Sequence, residues 1–157
     1  MKKISSATLE ELAIVAKAVR KRAHAPYSNF KVGCALLTKS GRVYEGCNVE
    51  NASFGATICA ERGAVMQMVA AGDRDIVGCA IVVPGDVPAT PCGMCRQVLA
   101  EFAGDFEMLL IGEPRSGKDV RKKTRFAKLF PAAFRMSELT SGQKAGASAK
   151  KKKPKKA

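Results

Sequence analysis

The chain has 157 residues, 46% of them hydrophobic and 26% charged, which is the usage of a globular domain large enough to bury a real core. No apolar run approaches the ~18 residues that a membrane-spanning helix needs, so a membrane span is excluded. The net charge of +13 is concentrated at one end: residues 140–157 hold seven lysines and no acid, and the 20 basic against 14 acidic residues before them leave +6.

In chain order, Thr8 followed by Glu11 forms a capping box. Leu9, Leu12, Ala13, Ala16, Val19 and Ala23 then fall on one face at helical spacing, and Pro26 closes the element. Met1-Lys2-Lys3 resembles the start of a secretory signal, but Glu10 and Glu11 interrupt it and no small-residue cleavage site follows. The chain therefore reads as cytoplasmic, where six cysteines are metal-bound, catalytic or buried rather than paired.

The loop Ala25-Pro26-Tyr27-Ser28-Asn29-Phe30 leads to two β-rich segments, Lys31 to Leu37 and Arg42 to Cys47, joined as a hairpin. Past the second strand, Asn48, Glu50 and Asn51 gather polar groups where ligand contacts collect in α/β sheets. A second helix starts near Ile58 or Cys59, with Ala60, Ala64, Val65, Met68 and Val69 facing inward and Gly72 at its C′ position. Val77 to Val83 is a continuous apolar strand of the doubly covered kind. A third helix runs from about Pro91 to Phe102, with Pro91 in its first turn, and a fourth strand from Phe106 to Ile111. Strand, helix and strand in that order imply a parallel crossover. Val120 to Arg125 reads as a basic edge strand.

Gly112 to Asp119 nearly matches a phosphate-binding loop, but it ends in Asp where Ser or Thr is required, no helix start follows, and it reads as a turn. From Ser141 the composition turns to Gly, Ala, Ser and Lys, so residues 1–139 form the domain and 140–157 a disordered lysine-rich tail. The tail suits nonspecific polyanion binding or, in a nucleated cell, an import signal; solvated disorder with nonspecific binding is the simpler reading.

The chemistry gathers at two helix starts. Cys92 and Cys95 stand at C-x2-C spacing where a helix dipole lowers thiol pKa and favours thiolate. Cys59 opens the other helix and supplies a third thiol. Three thiolates favour zinc, and three protein ligands leave a fourth position open to water, the catalytic arrangement. Glu61 lies two residues on, about 200° around a helix, and so suits a proton carrier rather than a fourth ligand. Three thiolates on Zn²⁺ leave one excess negative charge, which Arg62 and the helix dipoles offset. Cys34, Cys47 and Cys79 sit in or beside strands as small buried residues, and His24, the single histidine, ends a basic helix at the surface.

Cys59-Ala60-Glu61 with Pro91-Cys92-Gly93-Met94-Cys95 resembles the three-cysteine signature of zinc nucleoside and nucleobase deaminases. Pro26 to Gly33, Gly46 to Ser53, and the run from Cys95 through Leu99 extend the likeness, in order, to the small homotetrameric cytidine deaminases. The resemblance covers roughly residues 8–134. It implies a three-layer α/β/α fold with a mixed, roughly five-stranded sheet. It implies zinc on Cys59, Cys92 and Cys95, and Glu61 as proton shuttle. Asn48 and Glu50 would hold the ribose hydroxyls, Phe30 would pack on the base, and the Ala60 backbone would meet the base edge. Phe134 would reach a neighbouring subunit's pocket, so that active sites are shared within a homotetramer. The implied reaction is hydrolytic conversion of cytidine and deoxycytidine to uridine and deoxyuridine. The alternative is a deaminase of another cytosine compound such as blasticidin S; a closed zinc module that binds nucleic acid is a third reading, disfavoured by Glu61 beside an open position.

The chain departs from the family pattern at Lys128, where an acid is usual, and at Phe54, where Tyr is common.

Overall fold

The computed structural model describes residues 4–136, so the predicted domain boundary at 139 and the lysine tail lie outside the described residues. Five strands form one sheet in the order β2-β1-β3-β4-β5. They are β1 (Gly33–Thr38), β2 (Val43–Cys47), β3 (Ile76–Pro84), β4 (Glu107–Glu113) and β5 (Val120–Arg125). Only β3 and β4 pair in parallel, and the other three pairings are antiparallel.

Helix α1 (Ser6–Arg20) covers one face of the sheet, where Leu9, Leu12, Ala13 and Ala16 meet Ala35, Ala80, Val82, Leu109 and Ile111. Helices α2 (Ala60–Ala70) and α3 (Gly93–Phe102) cover the other, against Cys34, Leu36, Cys79, Ile81, Met108 and Leu110. The alternation along β1, β3 and β4 explains their unbroken apolar runs: both faces are buried, so no polar position is needed. A short helix α4 (Phe126–Leu129) closes the second face, with Phe126 stacked on Phe106 at 4.8 Å. This is the expected three-layer α/β/α arrangement with a mixed sheet.

Strand ends and the start of α2 shift by one or two residues from the sequence reading, and three helix boundaries differ for a visible physical reason. Helix α1 is capped by Ser5, whose hydroxyl accepts the Thr8 amide at 3.0 Å, so the helix begins before the Thr8 box. It ends at Arg20, well short of Pro26. The chain leaves the helix because His24 is recruited to a neighbouring segment: its amide donates to Asn48 O at 3.1 Å and its carbonyl accepts from Glu50 N at 2.8 Å. Helix α3 begins at Gly93 with Cys92 as its cap, and Pro91 stands before the cap rather than in the first turn.

The Gly112–Asp119 segment is a turn with Gly117 at φ +98°, and its two acids are committed to ion pairs: Glu113 with Lys17 and Arg20, Asp119 with Lys17 and Arg121. At the other end of the sheet from the helix starts, a cavity of about 870 Å³ is lined by the start of α1, the end of β1 and the residues leading into β4. It includes none of the predicted site residues.

Two features fix α2 against the sheet. Gly46 on β2 lets the helix approach closely: a Cβ there would lie 2.3 Å from both Ala60 O and Ala64 N. At the far end, Asp73 accepts hydrogen bonds from Thr38 Oγ1 (2.9 Å), Ser40 Oγ (2.7 Å) and Tyr44 OH (2.9 Å), and pairs with Arg42 at 2.7 Å. One carboxylate thus ties the β1–β2 hairpin to the α2–β3 turn.

Gly46→Ala should destabilise the fold by about 1–3 kcal/mol, the usual cost of overpacking, read by chemical denaturation; a neutral result would mean the helix shifts freely. Asp73 supplies a pH signature. Arg42 foremost, against burial, and then the three hydroxyls hold its carboxyl far below the usual range. A depressed folded pKa gives stability that is complete above the unfolded value of ~3.9 and lost as pH falls below it. Asp73→Asn should therefore be destabilising at neutral pH, with the gap to the parent shrinking as pH drops below ~4. A gap that stays constant across that window would show that the charge plays no part.

Candidate metal centre

Helices α2 and α3 lie side by side on one face of the sheet, and each is capped at its N-terminus by a cysteine. Cys59 caps α2 with an extended backbone (φ −71°, ψ 156°), and Cys92 caps α3 in the same way (φ −64°, ψ 167°). The Cys92 thiol accepts the Cys95 amide at 3.5 Å. This geometry brings together thiols 33 and 36 positions apart in the chain. The Cys59 and Cys92 sulfurs lie 3.9 Å apart, and all three sulfurs fall within 4.8 Å of one another. Zn–S bonds of ~2.3 Å at the tetrahedral angle require sulfur separations of about 3.8 Å, which the Cys59–Cys92 pair meets and the full set approaches to within about 1 Å. It is the single such group among the described residues, and it contains no fourth protein donor.

The electrostatics favour a thiolate at one of the three sulfurs. Cys59 is held down at about 5 by the Cys95 hydrogen bond first, against burial, and then by Arg62 and Cys92. Cys95 is pushed far up by the same contact and by burial, so the first thiolate forms on Cys59. Arg62 donates from Nη2 to Thr57 O at 2.6 Å and reaches the Cys59 sulfur at 3.8 Å. Its Nε is buried and finds no acceptor among the described residues.

Glu61 occupies the second position of α2 and is only 5% exposed. Cys59 is the cap and not a helical residue, so the turn from extended to helical backbone, rather than 200° of helical rotation, separates the two side chains. Burial foremost, and the negative charge of Cys59, raise the Glu61 carboxyl, while hydrogen bonds from its own amide and from the Cys95 thiol pull the other way.

The segment Asn48-Val49-Glu50 runs beside this centre. Val49 pairs with Ile58 through both backbone hydrogen bonds, at 2.9 and 3.0 Å, and with His24 on its other side. This three-segment ladder carries the predicted nucleoside contacts to the residue just before Cys59. Asn48 is buried, its Oδ1 accepting from Val32 N at 2.8 Å and its Nδ2 donating to Phe30 O at 2.9 Å. Glu50 accepts from Tyr27 N at 2.9 Å, Ser28 N at 3.2 Å and the Ser28 hydroxyl. The Ser28 hydroxyl foremost lowers the Glu50 carboxyl below its ordinary value, so it stays ionised. Phe30 is 43% exposed, and Ala60 is fully buried against β2.

Phe134 stands apart: it is 59% exposed and lines a depression of about 390 Å³ with Gly104, Ala127 and Phe130 that includes none of the thiols. Cys34 and Cys79 are buried as expected, their sulfurs 3.8 Å apart, while Cys47 is only half-buried.

Several residues here escaped the sequence reading. Ser28 orients Glu50, Thr57 anchors Arg62, and Arg96 bonds to the loop before Cys92. Ser28 stands in the loop after α1 that the sequence already marks; Thr57 acts through its own carbonyl, a group every residue carries, and Arg96 reaches Leu129 O, 33 residues on, so residue type marks neither role.

Comparison with known proteins agrees with this geometry. Residues 6–109 match the model of the cytidine and deoxycytidylate deaminase zinc-binding region. The chain is 39% identical over 132 residues to a cytidine deaminase of Sporosarcina psychrophila, covering 84% of this chain and 95% of that one. It is 42% identical over 134 residues to a probable cytidine deaminase of Dictyostelium discoideum, covering 83% and 86%. Among solved structures, a cytidine deaminase from Burkholderia pseudomallei superposes with a TM-score of 0.72 at 42% identity, covering 83% of this chain and all of that one. A fold with three thiols at two helix starts belongs to a zinc-dependent hydrolytic class, and this chain is a member of the cytidine and deoxycytidylate deaminase family.

Replacing Arg62 with Ala should loosen the metal, because the thiolates lose their nearest cation. Transfer of zinc to a coloured chelator should run several-fold faster at unchanged helix content, and equal rates would remove Arg62 from the charge balance.

Proposed function

We propose that this protein deaminates cytidine and deoxycytidine, giving uridine or deoxyuridine and ammonia. The observation that carries the reading is a buried carboxylate, Glu61, at the same helix start as a three-thiol group that has no fourth protein donor. Cys59, Cys92 and Cys95 would hold the ion. Zinc bound there supplies Lewis acidity that lets water act as a nucleophile near neutral pH. Glu61 takes the proton that water gives up and delivers it to the ring nitrogen beside C4. Water oxygen adds at C4, the C4–N bond breaks, and Glu61 assists the departure of ammonia. Burial suits Glu61 to this work, since a carboxylate shielded from solvent exchanges its proton with the substrate rather than with bulk water.

The sugar is held by Asn48 and Glu50, and the base packs on Phe30 and meets the Ala60 backbone. Glu50 supports this reading: it is ionised, and its carboxylate accepts hydrogen bonds, the property a pair of ribose hydroxyls needs. A polynucleotide has no such free end. The pocket is completed in a homotetramer, with Phe134 entering a neighbouring subunit's site. The exposure of Phe134 and of the Cys92 side of the thiol group supports that assembly, because one chain alone leaves the centre without an outer wall. Free thiols throughout the chain fit a cytoplasmic setting. Among the described residues no helix is long and apolar enough to cross a membrane.

An absorbance assay on the zinc-loaded protein should show turnover of cytidine and deoxycytidine. Blasticidin S and a cytosine oligonucleotide should remain unchanged; preferential turnover of either would replace the proposed substrate. Glu61→Gln should keep zinc and fold while losing at least ~100-fold in rate, the lower range for a proton-transfer group. Near-normal turnover in that variant would eliminate Glu61 as the proton carrier.

A further inference from the structure

Helix α3 carries, immediately after the ligand Cys95, two polar residues whose side chains leave the helix to hold other parts of the chain. Arg96 is half-buried and places its guanidinium between two segments that are remote in sequence. Nε donates to Pro91 O at 2.8 Å and Nη2 to Thr90 Oγ1 at 2.9 Å, both in the loop that presents Cys92. Nη1 donates to Leu129 O at 2.9 Å, at the last residue of α4. Gln97 donates from Nε2 to Phe134 O at 2.9 Å, at the far end of the same C-terminal segment.

The segment after α4 has little else to fix its backbone. Phe130 N bonds to Phe126 O at 3.1 Å, and the chain then turns at Pro131 and Ala132 without joining the sheet. Leu129, Phe130 and Ala133 pack at the margin of the core, only partly buried. Its position is therefore set by marginal packing and by the two side chains of α3.

We infer that Arg96 is a positioning residue that couples the Cys92 loop to the C-terminal segment 129–134, so that metal occupancy and the order of that segment reinforce each other. Three features of Arg96 support this. All three donors end on neutral oxygens, and among the described residues no carboxylate pairs with the cation, so the residue works by shape rather than by ion pairing. Its planar fork spans two segments at once, which a single ammonium on a flexible stem does not reproduce. The Pro91 carbonyl lies before the cap and receives no helical amide, and the loop's grip on Cys92 depends on the bond from Arg96. Coupling of this kind is reciprocal by necessity: whatever ordering of 129–134 favours the cysteine loop, zinc on that loop favours in return. The inference rests on zinc occupying the three cysteines, and it deepens the proposed function by giving the segment that bears Phe134 a fixed relation to the metal.

The test is hydrogen exchange read by mass spectrometry on the peptide covering 126–136, combined with zinc release to a coloured chelator, and neither measurement depends on turnover. In the parent protein, removing zinc should speed exchange in that peptide. In Arg96→Lys, zinc release should quicken about tenfold, as for the loss of one or two hydrogen bonds, and exchange at 126–136 should be fast with or without metal. Gln97→Leu should speed exchange near Phe134 and, by the same reciprocity, quicken zinc release by less than Arg96→Lys does, since the bonds from Arg96 to the Cys92 loop remain. Thr90→Val, which removes a single acceptor, gives a milder version of the Arg96 effect should Arg96→Lys fold poorly. A parent protein that takes up zinc but shows the same exchange at 126–136 in both states would overturn the coupling. So would an Arg96→Lys protein that releases zinc faster while its peptide keeps the parent's metal dependence. A parent that takes up no zinc would overturn the metal assignment itself, and the coupling with it.

Discussion

The chemistry of this protein depends on two helices that begin at one point in space. A helix N-terminus carries partial positive charge and unpaired amides, and placing two of them together creates a region where thiolates are stabilised before any ion arrives. Cysteine is the capping residue of both helices, and the Cys92 sulfur accepts the amide of Cys95 directly. Cys59 is held down at about 5 by what this meeting of helix starts brings to it, the Cys95 thiol first and then Arg62 and Cys92. The ion is then a clamp on an arrangement that the sheet has already made.

That arrangement requires α2 and α3 to share a face and to lie close to the sheet. The parallel β3–β4 pair puts α3 on that face as the crossover, and Gly46 lets α2 settle against β2 with its first carbonyl close to the strand. The opposite end of α2 is anchored by Asp73 and its donors from the hairpin. The helix start thus has little freedom left, as a metal centre with ligands on two elements demands. Around it, polar side chains bind loops rather than solvent. Asn48 fixes the Phe30–Val32 backbone, Glu50 fixes Tyr27 and Ser28, and Arg96 with Gln97 fixes the segment after α4. Asn48 and Glu50, proposed to hold the nucleoside, therefore also brace the loops beside the thiol centre.

Much of this was legible in the chain. The unbroken apolar run of β3, the apolar stripe of α1, the β5 range Val120–Arg125 and the N-terminal placement of the three cysteines follow from hydrophobic patterning and from helix-start chemistry. The errors were confined to ends. Ser5 rather than Thr8 caps α1 because a serine three positions earlier reaches the Thr8 amide, and Arg20 rather than a residue near Pro26 ends it because His24 gains strand-like partners. Pro91 was placed in the first turn of α3 on a residue preference, where the thiol of Cys92 takes the capping role instead. Asp73 and Arg96 have no period of their own: the hydroxyl donors to Asp73 lie 29 to 35 residues back on the hairpin, and Arg96 joins the nearby Thr90 and Pro91 to Leu129, 33 residues on.

By itself the sequence determined which atoms are available: three thiols and a carboxylate at two helix starts, and the short-range preferences that make those starts. It could do so because capping, helical spacing and strand alternation are local physics, decided within a few residues. Only the tertiary structure decided that sulfurs 33 and 36 positions apart approach to 4.8 Å or less, that Glu61 is buried beside them, and that Phe134 stands outside its own chain's centre. Those outcomes depend on the order of strands in the sheet and on which helix shares which face, and these are set by the burial of the whole core rather than by any stretch of the chain.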